Sequence, residues 1–484
     1  MSRQLVVIFS PLLAIGMALI YFVLSAEQAE AVKDAPWDYM PAQRAHVPHA
    51  SFLTGPFERP QDVTKRCLDC HPEASREVMK TSHWTWIAEE VEGLDGKPLG
   101  IGKRNLINNF CLGAQPNLEM CTSCHAGYGY DSNDFDFSDE LAVDCLVCHD
   151  STETYRKKGG GWPKDDVDLV AVAKSVAAPG RNNCGACHFE GGGGNAVKHG
   201  DMDGTLHHPM PRNDIHMGRH DFRCQDCHRT ERHEVAGVLT TTSESADAHV
   251  RCTDCHAMDP HHNDRLNTHA SAVACQSCHI PKVALDYPTK MAWDWSTAGQ
   301  DLPEDAHHYL KAKGSFEYIQ ELIPEYTWHN GRVDRLLPGE PIDPEAVTVI
   351  NRLEGSIADA TARIVPVKVH RGKQPYDKTF KYLIVPKTVG EGGYWTEFDW
   401  NQAFELGADA TGQPFSGEYG FAETLMYWPL HHMVAPKEHA LQCTDCHADR
   451  GRLNWKELGY PGDPALYGGR KRADLLADDI EAKP

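Results

Sequence analysis

The sequence predicts a mainly α and irregular fold with a small β-containing subdomain, and a core filled largely by something other than side chains. Three observations carry this. The chain has 484 residues, enough for two or more ordinary domains, yet aliphatic residues are sparse between positions 60 and 280. Sixteen of its 17 cysteines fall in Cys-x-x-Cys pairs, and a histidine follows every pair. The stretch from Ile280 to Gln442 has no such pair and alternates apolar with polar residues in its middle.

The eight units run in order along the chain: Cys67-Cys70-His71, Cys121-Cys124-His125, Cys145-Cys148-His149, Cys184-Cys187-His188, Cys224-Cys227-His228, Cys252-Cys255-His256, Cys275-Cys278-His279 and Cys443-Cys446-His447. Zinc ribbons use Cys-x-x-Cys knuckles but need no histidine after the second thiol, and structural disulfides need none either. Covalent c-type haem accounts for all three fixed positions. The thiols form thioethers to the porphyrin, and the adjacent imidazole is the proximal iron ligand. Eight covalently attached c-type haems follow, and the fold becomes a multihaem cytochrome c fold in which porphyrins form much of the core. Short helices joined by Gly-, Pro- and His-rich loops would wrap them.

Four regions result. Residues 1–31 combine Arg3, an apolar run from Leu5 to Leu24 and the small-x-small site Ala29-Glu30-Ala31. This reads as a cleaved signal peptide or a retained N-terminal membrane anchor. Both imply a periplasmic protein, in the second case tied to the inner membrane. Residues 32–300 form a haem-binding core with seven motifs. Residues 301–430 form an insertion or subdomain, with a β-hairpin expected across "RIVPVKVHRGKQPYDKTFKYLIVPKTV" around "GKQPYDK". Its aromatic segment "GGYWTEFDWNQAFELG" is suited to pack on the haem core. Residues 431–484 carry the eighth motif and a charged tail, "ADLLADDIEAKP", that reads as a frayed helix. The net charge of −22 disfavours nucleic acid and anionic membrane surfaces as partners.

Twenty histidines lie outside the motifs. Each bis-His haem needs one of them as its distal iron ligand. The best placed are His49, His83, His220, His233, His269 and His432. His216, His261, His262 and His431 are further candidates, and His199, His207 and His208 are weaker ones. Cys111 is the one cysteine left over. It stands ten residues before Cys121, with no free partner for a disulfide. It reads either as a buried inert thiol or as a reactive one. Lys198, from its residue type alone, reads as a solvated lysine after a Gly-rich turn.

Several blocks together resemble the octahaem tetrathionate reductase family of multihaem c-type cytochromes. They are "GKRNLINNFCLG", "CTSCHAGYG", "DCLVCHDSTETYRKK", "GGGGNAVKHGDM", "HMGRHDFRCQDCHRTERH" and "YWPLHHMVAPKEHALQCTDCH". The resemblance runs from about His49 to about Trp455, and is thin across 301–430. Hydroxylamine oxidoreductase and octahaem nitrite reductase are more distant relatives. The latter has Lys in place of His in its catalytic motif, whereas all eight units here keep His.

The resemblance implies that the haem of the second motif is catalytic, bound by His125 and by Lys198 from a separate loop. It also implies that Cys111 lies beside this site. Lys103, Arg104 and Lys198 would then attract an anion and lower the thiol's pKa. Asp201 and Asp144 would be orienters or proton carriers. The implied function is a multihaem oxidoreductase acting on a small inorganic anion. It would reduce tetrathionate to thiosulfate, with nitrite and hydroxylamine as further substrates. The electron donor would be a redox protein or a quinol-linked cytochrome. The alternatives are hydroxylamine oxidation or nitrogen-oxide reduction, and a non-catalytic electron-transfer cytochrome.

Overall fold

A computed structural model describes residues 37, 40, 46–237 and 250–470. The expected signal or anchor at 1–31 and the charged tail from Ala473 lie outside the described residues. No helix among the described residues is long and apolar enough to cross a membrane. The chain divides into two compact units, one of residues 45–249 and 272–484, the other of 1–44 and 250–271.

In the larger unit, haem motifs sit on short helical turns. Cys67 closes the helix Pro60–Leu68, the third motif lies on Leu146–His149, and the fourth on Arg181–His188. The fifth, seventh and eighth occupy Cys224–Cys227, Cys275–His279 and Cys443–Cys446. Isolated turns this short are not stable by propensity. In the fifth and eighth the residue before the second cysteine is Asp, and its carboxylate caps its own turn. Asp226 accepts from Arg223 N at 2.7 Å, and Asp445 from Gln442 N at 2.7 Å. The smaller unit repeats the device at the sixth motif, where Asp254 accepts from Arg251 N at 2.9 Å. It also holds the helix Asp264–His269, capped by Asn263.

Two small ribbons, β1 (Glu89–Glu92) with β2 (Pro98–Ile101) and β3 (Thr230–Glu231) with β4 (Glu234–Val235), lie among the motifs. The remaining strands build one eight-stranded sheet: β5 (Thr289–Asp294), β6 (Tyr309–Leu310), β7 (Gly314–Ile319), β8 (Glu325–His329), β9 (Val333–Arg335), β10 (Thr348–Leu353), β11 (Arg363–Asp377) and β12 (Tyr419–Pro429). The order is β6-β7-β5-β11-β12-β10-β9, with β8 also paired to β11. The β5–β11 and β10–β12 pairs are parallel; the others are antiparallel.

The hairpin expected around "GKQPYDK" does not form as read. Those residues run straight on through β11, whose antiparallel partner is β12, from Val367↔Pro429 to Asp377↔Tyr419. Gly372 is there for close approach rather than for a turn: a Cβ would lie 2.6 Å from Thr424 Oγ1 and 2.9 Å from Asn109 Cβ. The chain reverses later, where the Asp377 carboxylate accepts from Thr379 N and Phe380 N at 2.8 Å each. The returning limb makes only the isolated bridge Tyr376↔Leu383.

The core is divided. The largest apolar cluster belongs to the sheet, with Trp293, Trp295, Phe316, Met426 and Trp428 joined by Phe110 and Leu112. The aromatic segment at 392–407 packs on this cluster through Trp395 and Trp400. The clusters between the first four motifs are small, such as Trp84 with Ala142 and Val143. This is the shortage of side-chain core that the composition predicts there.

Candidate active site around the second haem motif

Asn108 builds the turn that presents Cys111. Its Oδ1 accepts from Phe110 N at 3.0 Å and Cys111 N at 3.1 Å, while Asn108 N donates to Leu112 O at 2.8 Å. Asn109 Nδ2 ties this turn to β11 through His370 O at 2.7 Å. The Cys111 thiol donates to Gly192 O at 3.3 Å. Gly192, Gly193 and Gly194 have φ of 79°, 102° and 152°, so the Gly-rich loop takes a path that side chains would strain. A Cβ on Gly192 would lie 3.0 Å from Lys198 Cβ, and one on Gly193 3.9 Å from Cys111 Sγ. One loop therefore brings Cys111 and Lys198 together.

Lys198 Nζ lies 5.0 Å from the Trp428 ring centroid. Burial, aided by Lys103, pushes its pKa down to about 8, against the opposing pull of Cys111, Cys124 and Cys121. Those last two thiols are the second motif's own, which puts Lys198 against that motif. His125 is fully buried among Trp84, Trp86, Tyr130 and Phe135. Its Nε2 is 2.7 Å from Trp84 O, and burial pushes its pKa down to about 4. Lys157 Nζ braces the motif backbone, 2.6 Å from His125 O and 2.7 Å from Asp144 Oδ2. Asp144 also accepts from Tyr128 OH, Tyr155 OH and Val147 N. It thus links the second motif to the third and acts on backbone geometry.

Two expectations change. The Cys111 thiol is pushed up, not down, because burial outweighs the neighbouring cations. Those cations are Lys290, Lys313, Lys198 and Lys103. Arg104 is not among them and stacks on Phe137. Lys290 and Lys313 were not legible in the sequence, since nothing local marks a lysine on β5 or before β7 as facing a loop 180 residues earlier. Asp201, three residues from Lys198, turns its carboxylate to His432 instead: Oδ2 accepts from His431 N, His432 N and His432 Nδ1 at 2.8, 3.0 and 3.1 Å.

The histidines fit axial ligation. Two imidazoles on opposite sides of one metal, each bonded at about 2 Å, have ring centroids roughly 6 Å apart. His49 and His71 are 6.3 Å apart, His83 and His188 6.3 Å, and His432 and His228 6.2 Å. Each pair joins a motif histidine to a distal candidate. Protein acceptors fix ring tautomers, as iron ligands require: His149 Nδ1 on Ala177 O and His228 Nδ1 on Ala236 O, both at 2.8 Å, and His447 Nδ1 on Asp463 at 2.6 Å. In His125 the other nitrogen, Nδ1, is buried without a partner.

His233 is held by Glu77 at 2.8 Å and acts electrostatically on His149. His220 ends the helix Ile215–His220. His269 bonds Arg265 O at 2.7 Å, and His261 bonds Asn267 at 3.2 Å, within the smaller unit. His431 meets Gln276 of the seventh motif at 3.3 Å. His199 packs on Trp428 and His207 on Phe189.

Thiol contacts show which attachment sites adjoin. The Cys67 and Cys145 thiols lie near one another, as do Cys124 with Cys187 and Cys184 with Cys224. Cys148 also acts on Cys184, and Cys278 lies near Cys443 and Cys446. The first motif therefore adjoins the third. The fourth adjoins the second, third and fifth, and the seventh adjoins the eighth.

Comparison with known proteins agrees. Residues 290–450 match a family model described as bacterial cytochrome c. No curated protein matches the chain. The crystal structure of octahaem cytochrome c from Shewanella oneidensis is 48% identical, with a TM-score of 0.82 over 87% of this chain and 98% of that one. With eight Cys-x-x-Cys-His units and that similarity, the chain belongs to the octahaem c-type cytochromes, redox proteins carrying eight covalently bound haems.

Proposed function

We propose that this cytochrome reduces tetrathionate to thiosulfate where Cys111 and Lys198 meet the second motif. The observation that carries the reading is the meeting of a lone thiol and Lys198 against that motif, with Lys103, Lys290 and Lys313 also acting on the thiol. Lys103, Lys198, Lys290 and Lys313 have no ion pair among the described residues, in a chain of net charge −22. Local positive charge in an acidic protein suits a small dianion.

In this reading His125 and Lys198 would hold the iron of the second motif's haem. His49, His83 and His432 would hold the first, fourth and fifth motifs' irons together with His71, His188 and His228, and His233 would do so with His149. His220 and His269 would supply ligands at other motifs. When bound, the haems supply single electrons, received in the periplasm from a redox protein or a quinol-linked cytochrome. Cys111 Sγ, as thiolate, attacks one sulfane sulfur of tetrathionate. The central S–S bond breaks, one thiosulfate leaves, and Cys111 carries an S–S–sulfonate. Two electrons then cleave that new bond, releasing the second thiosulfate and restoring the thiolate. The lysines offset the dianion's charge and reduce the cost of the buried thiolate.

The test is reoxidation of protein that has been reduced and freed of reductant, with tetrathionate, nitrite and hydroxylamine side by side. Tetrathionate is expected to reoxidise it, and Cys111→Ala to slow that reaction by about a hundredfold or more. An unchanged rate removes the thiol from the mechanism. Reoxidation by none of the three leaves an electron-transfer cytochrome.

A further inference from the structure

A buried ion pair lies at the junction of the second and third motifs. Just after His125, Gly127 forms an antiparallel bridge with Val143. Tyr128 N donates to Ala142 O at 2.7 Å, and Asp144 N to Ala126 O at 3.0 Å. The chain leaving the second motif therefore runs along the chain entering the third. At this junction Lys157 Nζ meets Asp144 Oδ2 at 2.7 Å, with the two side chains 4% and 0% exposed.

The other partners of the two charges divide between the motifs. Lys157 Nζ gives its remaining donors to His125 O at 2.6 Å and Gly127 O at 3.2 Å, so the cation sits on the second motif's backbone. Asp144 adjoins Cys145, and its Oδ1 accepts from Val147 N, inside the third motif, at 3.1 Å. Tyr128 OH and Tyr155 OH complete the carboxylate's shell at 2.8 and 3.0 Å. All donors of the ammonium are used, so the pair is held in one orientation. A tie between two chain segments does not need charge, because apolar residues of similar volume serve as well. Fixed charges in a dry interior do something apolar residues cannot: they act on a nearby redox centre with little screening.

We propose that the Lys157–Asp144 pair biases electrons toward the second motif. Its cation, on the second motif's side, raises the potential of that haem, because positive charge favours ferrous iron. Its anion, on the third motif's side, lowers the potential of that haem. One electron passing from the third motif's haem to the second's oxidises the first iron and reduces the other, transfers no atom, and runs with this field. The inference needs only that both motifs carry their haems, so it stands apart from which substrate the protein reduces. Lys157 and Asp144 are positioning residues in this role, since they reach the irons through the motifs and touch neither substrate nor porphyrin.

The test is a redox titration of the holoprotein followed by electron paramagnetic resonance. The two ferric signals are assigned as those that His125→Met and His149→Met remove. Lys157→Met deletes the cation and is expected to lower both potentials, the second motif's haem more. Asp144→Asn deletes the anion at nearly constant shape and is expected to raise both, the third motif's haem more. At a fixed ambient potential the reduced-to-oxidised ratio of the nearer haem should change about tenfold, which is about 59 mV for one electron. The single variants thus move the potentials in opposite directions, yet each narrows the gap between them.

Removing one partner leaves a lone buried charge, which can prevent folding. The double variant carries neither charge and is expected to keep the mean of the two potentials while narrowing the gap. Tyr155→Phe keeps its ring and removes one donor from Asp144, so it should lower the third motif's haem by less than tenfold. Haem absorbance per chain shows that each variant has folded. Shifts of the same sign in the two single variants, or an unaltered gap in the double variant, overturn the inference and leave the pair a structural tie.

Discussion

At the scale of single residues, Asp201 is informative because its neighbours in sequence suggest one role and its contacts another. Burial alone would raise its carboxyl pKa, but the His432 ring and two backbone amides hold it well below the usual carboxylate range. A carboxylate on the Nδ1 of an iron-bound imidazole makes that ligand more electron-donating and favours ferric iron. If His432 shares the fifth motif's haem with His228, as proposed, Asp201→Asn is expected to raise that haem's midpoint potential, read by spectroelectrochemistry. A potential that stays put or falls would mean that Asp201 only folds the loop. The eight motifs were legible in the sequence because haem attachment fixes residue types at fixed spacing. Distal histidines have no fixed spacing, so His49, His83 and His432 stood among many candidates until the fold set their rings 6.3, 6.3 and 6.2 Å from those of His71, His188 and His228. The place of Lys290 near Cys111 was not legible, since it depends on the long-range packing of β5 with the 108–112 turn.

At the scale of elements, β11 shows why the middle of the chain was misread. In "VPVKVHRG" the alternation places Lys368 and His370 on the face that a half-solvated hairpin would give to water. Both are fully buried. Val367 and Val369 pack on one face, while the other is covered by Phe110, its ring tilted 35° against His370 with centroids 3.8 Å apart, and by the 196–199 loop. Lys368 Nζ donates to Val197 O and Lys198 O at 3.0 Å each and to Thr289 Oγ1 at 2.6 Å, using the three donors of an ammonium. Thr289 Oγ1 in turn donates to Ala196 O at 2.7 Å. Strands β5 and β11 thus fix the backbone that carries Lys198. Lys368→Met leaves three buried acceptors unmet and is expected to cost about 3 kcal/mol in denaturant unfolding of the holoprotein. It should also alter the ferric spectrum of the second-motif haem while sparing the His49–His71 site. A variant as stable as the parent would show that the loop holds its path without β11.

At the scale of the whole molecule, stability is unevenly founded. The sheet has its own apolar cluster and long hydrogen-bonded strands, above all β11 with β12. The motif-bearing stretch from about 60 to 237 has short turns and small clusters, so porphyrin burial and covalent attachment must supply what side chains do not. The net charge of −22 adds self-repulsion that a weak core resists poorly. The contacts among motif thiols add a further dependence. The fourth motif adjoins the second, third and fifth, so order in this region rests on several haems at once. Chain produced without haem attachment is therefore expected to be cut first by protease between 60 and 237, while fragments spanning 289–429 persist longer. In the holoprotein the same sites should be protected. First cleavage within the sheet, or equal loss of both regions, would show that the sheet depends on the haems as much as the motifs do.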